Sequence, residues 1–402
     1  MAFNTRPTQV AVIGSGLAGA ACAARLQRSG AQVTLFEKAS TVGGHLAARR
    51  AQWIDADGAR QSVAFDDSTQ YFESVERRCK PVIARAMTAS GVRSWRPHVY
   101  AVWPFEVEPC VVPPAAMSPL CTRLLGDAVV HLNRTVRRLQ RASDGRWYVE
   151  SGGSALAGPF DSVALALPPA PAAVLLAGHQ NNWAEMLLAK RSVPVWTLIA
   201  VTADVDWSWD AAQPERGPFA WVQRNDRLPG CTTSPGLAVW TAHATAKWSA
   251  AHHDDDAQTV LEELKRALCA QLPNSGNGDR PICWHYTDVY RGHAPSIDCV
   301  SSMGSHEVWW DESLALGVCG NSRRTSGIQA AWYSGDQLAE CMAASFERLP
   351  VTGYNLAALV ATPRMSSHGF LPATNASAAI QQATGTLVSP TQGEVSHFAD
   401  AE

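Results

Sequence analysis

The chain has 402 residues, enough for two or three domains or one large two-domain enzyme with ample core. Hydrophobic residues make up 46% and charged residues 17%, the profile of a globular protein, and the net charge of −3 comes with no basic block interleaved with aromatics, which argues against nucleic acid. No apolar run reaches the length of a membrane span, and ten scattered cysteines without a CxxC pair point to reduced thiols in a cytoplasmic protein.

The first predicted element, Val10 to Ile13, is a short apolar run suited to a buried parallel strand, and it leads straight into Gly14, Gly16 and Gly19 in GxGxxG spacing. A helix follows. Gly14 allows the tight turn, Gly16 lets the backbone approach a pyrophosphate, and Gly19 lets helix and strand pack closely. The small residues of "AGAACAA" read as one face of this helix and not as a leader cleavage region. A second apolar run, Val33 to Phe36, ends in Glu37, placed where a strand-end acid accepts the ribose hydroxyls of an adenosine. GxGxxG alone fits NAD as well as FAD. The glycine pair Gly43 and Gly44, followed by Arg49 and Arg50, looks like the second glycine motif of flavin oxidases and favours FAD.

From Phe65 the run "FDDSTQYFE" brings an aromatic pair after an acidic turn, and residues 79–116 read as an irregular excursion into a second domain. The segment from Val129 to Ser151 alternates around Asp144-Gly145 as a hairpin would, and "FDSVALALPP" is a buried strand ended by proline. Residues 171–295 hold most of the tryptophans, with strands in "VPVWTLIAVTA" and "GLAVWTAHA" and a helix over Ala257 to Leu272, so they read as an antiparallel sheet with a covering helix. "LALGVCGN" is one more strand, and the turn and helix after it return the chain to the cofactor. The tail from residue 350 has no sustained period, with a short helix possible near Tyr354 to Leu359.

Other chemistry finds little support. His252 and His253 before three aspartates read as a solvated helix start and not a metal site, and no further ligand cluster accompanies them. There is no GxSxG elbow and no reactive-cysteine signature.

The stretches "IGSGLAGAACAARL", "FEKASTVGGHLAARR", "FDDSTQYF", "VPPAAMSPLCTRL", "DGRWYV", "FDSVALALPPAPA", "WTAHATAKWSAAH" and "GVCGNSRRTSGIQAAWYSG" resemble, in family order, the renalase group of flavin oxidoreductases within the amine oxidase superfamily. The resemblance implies an α/β fold in the manner of para-hydroxybenzoate hydroxylase: a Rossmann-type FAD-binding domain with an inserted antiparallel-sheet substrate domain. The FAD-binding domain would comprise residues 1–78, 117–170 and 296–345, the substrate domain 79–116 and 171–295, and the tail 346–402. It implies FAD without a metal, a small substrate stacked on the flavin, hydride transfer from an abnormal dihydronicotinamide, and oxygen as the electron acceptor. The cofactor set is Gly14, Gly16, Leu17, Ala18, Gly19, Glu37, Lys38, Gly43, Gly44, His45, Arg50, Gln70, Tyr71, Phe72, Val136, Gly320, Asn321, Gly327, Ile328 and Ala331. The catalytic candidates are Tyr71, Tyr290 and Arg291. Arg323 and Arg324 are candidates for holding an anionic group, with a solvated loop as the alternative.

The chain departs from the family pattern at His45, which replaces an arginine, at "DDSTQ" before Tyr71, and at Asn321, which replaces a carboxylate. These changes bear on the substrate more than on the cofactor. Two other readings stay open: an amine or secondary-metabolite oxidase forming an imine or a C=C bond, and a flavoprotein whose FAD is structural or redox-neutral. A nicotinamide-dependent monooxygenase is disfavoured, because Asp144-Gly145 falls in a hairpin turn and the late motif reads Gly-Asn.

Overall fold

The computed structural model describes residues 6–47, 49–65, 93–95, 97–101, 110–112, 118–152, 156–189, 192–205, 207–229, 231, 233–271, 282–295, 308–320 and 328–346. Strand β1 (Gln9–Ile13), helix α1 (Leu17–Arg28) and strand β2 (Gln32–Phe36) form a βαβ unit in which the two strands pair in parallel. From Val10 on, β1 is continuously apolar because it is central: Val10, Ala11 and Val12 are fully buried. A single 3-10 turn at Gly44–Leu46 leads into a hairpin, β3 (Arg49–Ile54) and β4 (Arg60–Phe65). Three short strands follow, β5 (Arg93–Trp95), β6 (Val99–Ala101) and β7 (Cys110–Val112), then helix α2 (Ser118–Leu125) and strand β8 (Val129–His131).

Strands β9 (Val136–Arg141), β10 (Trp147–Ser151) and β11 (Leu156–Phe160) make a three-stranded antiparallel sheet. The turn between the first two falls at Asp144-Gly145, where Gly145 takes φ +83° and the Asp144 carboxylate accepts the Arg146 N–H at 3.0 Å. Strand β12 (Ser162–Leu165) is buried along its whole length and pairs in parallel with β1.

Helices α3 (Pro169–Leu176) and α4 (Asn181–Leu188) fall in a smaller unit whose described residues are 168–189. Asn181 starts α4 and accepts the Gly178 N–H at 2.8 Å. The larger unit, residues 1–167 and 191–349, holds the sheets.

The rest of the larger unit begins with β13 (Ser192–Ala203), β14 (Ala211–Gln213), β15 (Phe219–Arg224) and β16 (Leu237–Ala244). Helices α5 (Ala246–Ala251) and α6 (Ala257–Gln271) precede strands β17 (Trp284–Pro295), β18 (Trp309–Asp311) and β19 (Leu316–Val318), and the long helix α7 (Ile328–Phe346) closes the described chain. α6 starts where the sequence places it. Asp256 caps it, accepting the Gln258 and Thr259 N–H groups at 3.0 Å each.

Two six-stranded sheets organise this unit. The first runs β18-β19-β12-β1-β2-β8 and is parallel except at β18, so segments from the start, middle and end of the chain lie side by side. Its core joins Val10, Val12, Val33 and Leu35 to α1, to Leu120 and Leu125 of α2, and to Trp332, Leu338 and Met342 of α7. The second runs β17-β13-β16-β15-β14-β6, antiparallel except for the β14–β6 pair. One face is sealed by Val260, Leu264 and Leu268 of α6 packing on Trp196, Leu198 and Trp240. On the other face Ala51 and Val63 of the β3–β4 hairpin pack on Ile199, Val201 and Val239.

Candidate functional site

The three glycines of the first turn meet three different surroundings. Gly14 has φ +103°, and a Cβ there would lie 2.3 Å from the Ala166 carbonyl oxygen. A Cβ on Gly19 would lie 2.0 Å from the Gly14 oxygen, so only glycine lets α1 start against β1 and the end of β12. A Cβ on Gly16 would meet nothing within 4 Å. The space beside its Cα, at the N-terminus of α1, is open, the setting in which helix N–H groups donate to a phosphate. Leu17 and Ala18 begin α1 and are buried.

Glu37 is 6% exposed at the end of β2. Its Oε2 accepts the Ser15 N–H at 2.9 Å and the Ser15 hydroxyl at 2.7 Å, and its Oε1 accepts the Ala39 N–H at 2.8 Å. Oε2 is thereby saturated, and Oε1 keeps lone-pair capacity for a further donor. The second glycine loop crosses the first directly: Gly43 forms a parallel bridge with Gly16, and its N–H reaches the Ser15 carbonyl at 3.2 Å. Gly43 at φ +125° and Gly44 at φ +56° use conformations that favour glycine, and a Cβ on Gly44 would stand 3.0 Å from the Gly16 Cα. The segment after β8 closes the other side, with the Glu37 N–H on the His131 carbonyl and the Arg134 N–H on the Glu37 carbonyl. Val136 follows at the start of β9 and is half-buried. Lys38 and Arg50 are exposed.

The late strand brings Gly320 to the same end of the sheet. It takes φ +91°, a Cβ there would touch the Ala18 side chain at 3.4 Å, and its N–H is held by the Ser334 hydroxyl at 2.9 Å. α7 approaches α1 so closely that a Cβ on Gly335 would lie 2.0 Å from the Ala18 carbonyl. Ala331, one turn earlier in α7, is half-buried against the same core. Cys22 and Cys319 pack together beneath this end, and their mutual hydrogen bond with burial pushes the Cys22 thiol well above its ordinary value.

On the antiparallel sheet Tyr290 and Arg291 part company, because successive strand residues face opposite ways. Tyr290 is half-buried on the face that receives the β3–β4 hairpin. Arg291 lies on the other face, its guanidinium 4.5 Å above the Trp196 ring, so the two do not converge on one site. Trp196, Trp207 and Trp240 likewise belong to the α6-covered core, and only part of the tryptophan content reaches the other face. There, one row crosses four strands: Tyr290 beside Thr197, Thr197 beside His243, His243 beside Trp221. Burial lowers the His243 pKa to about 4, so its imidazole is uncharged at neutral pH.

Gln70, Tyr71, Phe72, Asn321, Arg323, Arg324 and Gly327 lie outside the described residues, as do the His45, Arg49 and Ile328 side chains. Among the described residues no cluster of three or more His, Cys, Asp and Glu could hold a metal, and no helix is long and apolar enough to cross a membrane. Sequence reasoning passed over Ser15, Ser334 and Gly335. The Ser-Gly pair inside α7 was the available signal, since small residues in a helix mark close approach. Thr197, His243 and Trp221 had no such signal.

Residues 12–86 match the family of NAD(P)-binding Rossmann-like domains. Among curated proteins the chain is similar to the tRNA 5-methylaminomethyl-2-thiouridine biosynthesis bifunctional protein MnmC of Magnetococcus marinus, at 23% identity over 55% of this chain and 43% of that protein. The chain therefore spans about two-fifths of the length of that relative. Among solved structures it is similar to UDP-galactopyranose mutase in its reduced form, with a TM-score of 0.60 at 8% identity over 86% of this chain and 95% of the other. A protein assigned as a protoporphyrinogen oxidase from Exiguobacterium sp. 255-15 follows at TM-score 0.58, 11% identity, and 85% and 100% coverage. A triple mutant of putrescine oxidase gives TM-score 0.57, 13% identity, and 84% and 100% coverage. At these identities the likeness shows the fold: a Rossmann-like nucleotide domain combined with mixed sheets, as in the amine oxidase and protoporphyrinogen oxidase type.

Proposed function

We propose that the protein is an FAD-dependent oxidoreductase of the amine oxidase-like superfamily, and more narrowly a renalase-like oxidase. Its substrate would be a small dihydronicotinamide-type or related N-heterocycle, with oxygen receiving the electrons. The observation that carries this reading is the crossing of the two glycine loops beside the Glu37 carboxylate, with Gly16 opening onto unfilled space. Glu37 would bond the adenosine ribose, the Gly14–Gly19 turn and α1 would hold the pyrophosphate, and Gly43, Gly44 and Gly320 would leave room for the chain running to the flavin ring. We assign residues 1–78, 117–170 and 296–345 to FAD binding and 79–116 with 171–295 to the substrate.

When bound, FAD supplies a two-electron acceptor that can hand its electrons on to oxygen. The chain's own task is to orient a substrate C–H and keep water away, which asks for walls and hydrogen bonds more than for strong acids or bases. Tyr290, half-buried beside the apolar Ile199, Val201 and Val239 patch, suits such a wall. Tyr290→Ala is expected to slow flavin reduction with FAD still bound.

The test is the absorption spectrum of the purified protein, followed anaerobically as NADH, aged NADH containing its isomers, and a panel of amines are added. Bleaching by the isomer-containing sample alone supports the narrower reading. Bleaching by an amine moves the protein to imine-forming oxidation, the alternative that the sequence resemblance leaves open. A flavin that no reductant touches points to a redox-neutral role, and a preparation that cannot be loaded with FAD refutes the proposal.

A further inference from the structure

The face of the antiparallel sheet turned away from α6 carries a polar layer that the nucleotide site does not use. Its first row is Tyr290, Thr197, His243 and Trp221, one residue from each of β17, β13, β16 and β15. Thr197 Oγ1 and His243 Nδ1 are 3.1 Å apart. The next row extends the layer: the Trp221 indole N–H donates to Gln223 Oε1 at 3.1 Å, Gln223 Nε2 to Asn225 Oδ1 at 2.9 Å, and Asn225 Nδ2 to the Thr241 hydroxyl. Thr197, Trp221, Gln223, Asn225 and Thr241 are all buried, whereas His243 and Tyr290 keep partial exposure. A buried network thus presents two polar side chains at an accessible surface, beside an apolar patch of Ile199, Val201 and Val239.

The layer lies on the nucleotide side of the sheet. Ala51, seven residues after Gly44 of the glycine crossing, packs on this face, and seven residues span at most about 25 Å.

The centre of the layer is uncharged, and its one carboxylate among the described residues, Asp288, stands at the β17 edge. Along β13, β15 and β16 this face bears no ionised side chain, and Asp288, on edge strand β17, accepts the Tyr286 hydroxyl at 3.4 Å. An ammonium ion bound against the central row would lose water without gaining a counter-charge there, which is costly. With Nδ1 engaged by Thr197, Nε2 is the imidazole nitrogen left for a ligand. It donates or accepts according to the tautomer that Thr197 holds. An amide or hydroxyl group, which offers both a donor and an acceptor, matches either state, and an ammonium group offers donors only.

We propose that this face is the substrate wall and that His243, positioned by Thr197, determines specificity by selecting an uncharged, amide- or hydroxyl-bearing ligand over an alkylammonium ion. As a substrate wall it rests on the reading of the protein as a flavin oxidoreductase. Trp221 neighbours the imidazole, and Tyr290 stands two strands away beyond Thr197, so the row offers a planar ligand an aromatic side chain at each end.

Benzamide and benzylamine separate the alternatives, being similar in shape and different in charge at pH 7.5. Calorimetric titration of each into the full-length flavin-loaded protein is expected to show benzamide binding and benzylamine binding at least tenfold more weakly. His243→Leu is expected to weaken benzamide tenfold or more with the flavin spectrum unchanged. Thr197→Val, the milder variant should His243→Leu fail to fold, is expected to cost several-fold. Tighter binding of benzylamine, no benzamide binding at millimolar concentration, or folded variants that bind benzamide like the parent would each overturn the proposal. A sample that retains no flavin defeats the oxidoreductase reading separately, and the same titration on that sample still tests the His243 wall.

Discussion

The nucleotide end and the open face of the antiparallel sheet are built by opposite means. At the nucleotide end, Gly14 to Glu37 are neighbours in sequence, and backbone groups do most of the work: N–H groups at a helix start, a carbonyl crossing, positive-φ glycines. On the open face, side chains from four strands meet by register across 22 to 93 residues of chain, as in Trp221 beside His243 and Thr197 beside Tyr290. One region tolerates few residue types because backbone would collide. The other depends on which residues the strand register turns to the same face. The difference teaches that the glycine-turn end is written locally and the row on the sheet face is assembled, so the proposed cofactor site is legible in short stretches and the proposed substrate wall is not.

Variants can break that contrast, and the largest effect is expected at Gly19. Gly19→Ala forces a Cβ to 2.0 Å from the Gly14 oxygen, so a loss of about 3 kcal/mol or more is expected, read as a collapsed thermal midpoint and loss of flavin together. An unchanged midpoint would remove the steric basis of the turn.

On the open face the corresponding lever is pH. His243 titrates at 6.5 in the unfolded chain and near 4 in the fold, so between these values the unfolded state binds more protons. The stability from the neutral, half-buried ring is fully present above pH 6.5 and is lost as pH falls toward 4, by about 3 kcal/mol at most. Denaturant midpoints across that window are expected to fall less steeply in His243→Gln, and equal slopes would show the ring is not desolvated.

Glu37→Ala removes the acceptor of the Ser15 and Ala39 hydrogen bonds along with the ribose contact proposed for it. A loss of about 1–3 kcal/mol, or about 10- to 100-fold in FAD affinity, is expected by equilibrium dialysis. Full flavin occupancy in this variant would refute the assignment of the fingerprint. The sharpest contrast is the smallest in stability. Gly16→Ala places its methyl where nothing lies within 4 Å and φ is −61°, so the apoprotein's midpoint is expected to move by less than about 0.5 kcal/mol while FAD retention falls. The same substitution at Gly16 and Gly19 thus separates a glycine kept for a ligand from one kept for packing.

Legibility follows the same division. The strand, turn and helix around Gly14–Gly19, the strand ending at Glu37, the buried β12 and the Asp256-capped helix could be read because each is a short-range pattern of apolar period, cap and glycine. The pair Tyr290 and Arg291 shows where such reading stops. Both were candidates by position, yet strand alternation sends Arg291 to the Trp196 side and Tyr290 to the open face, and only pairing with β13 decides which is which. The tryptophans mislead for a related reason: hydrophobicity selects burial without selecting a face, and Trp196, Trp207 and Trp240 went to the α6 side.

The sequence by itself determined the dinucleotide turn, its acid and the second glycine loop, since these depend on backbone conformations that a few consecutive residues impose. The tertiary structure alone decided that Ser15 clasps Glu37, that α7 seats Gly335 on α1, and that Thr197, His243 and Trp221 share a row, because those contacts join segments whose relative register no local pattern encodes.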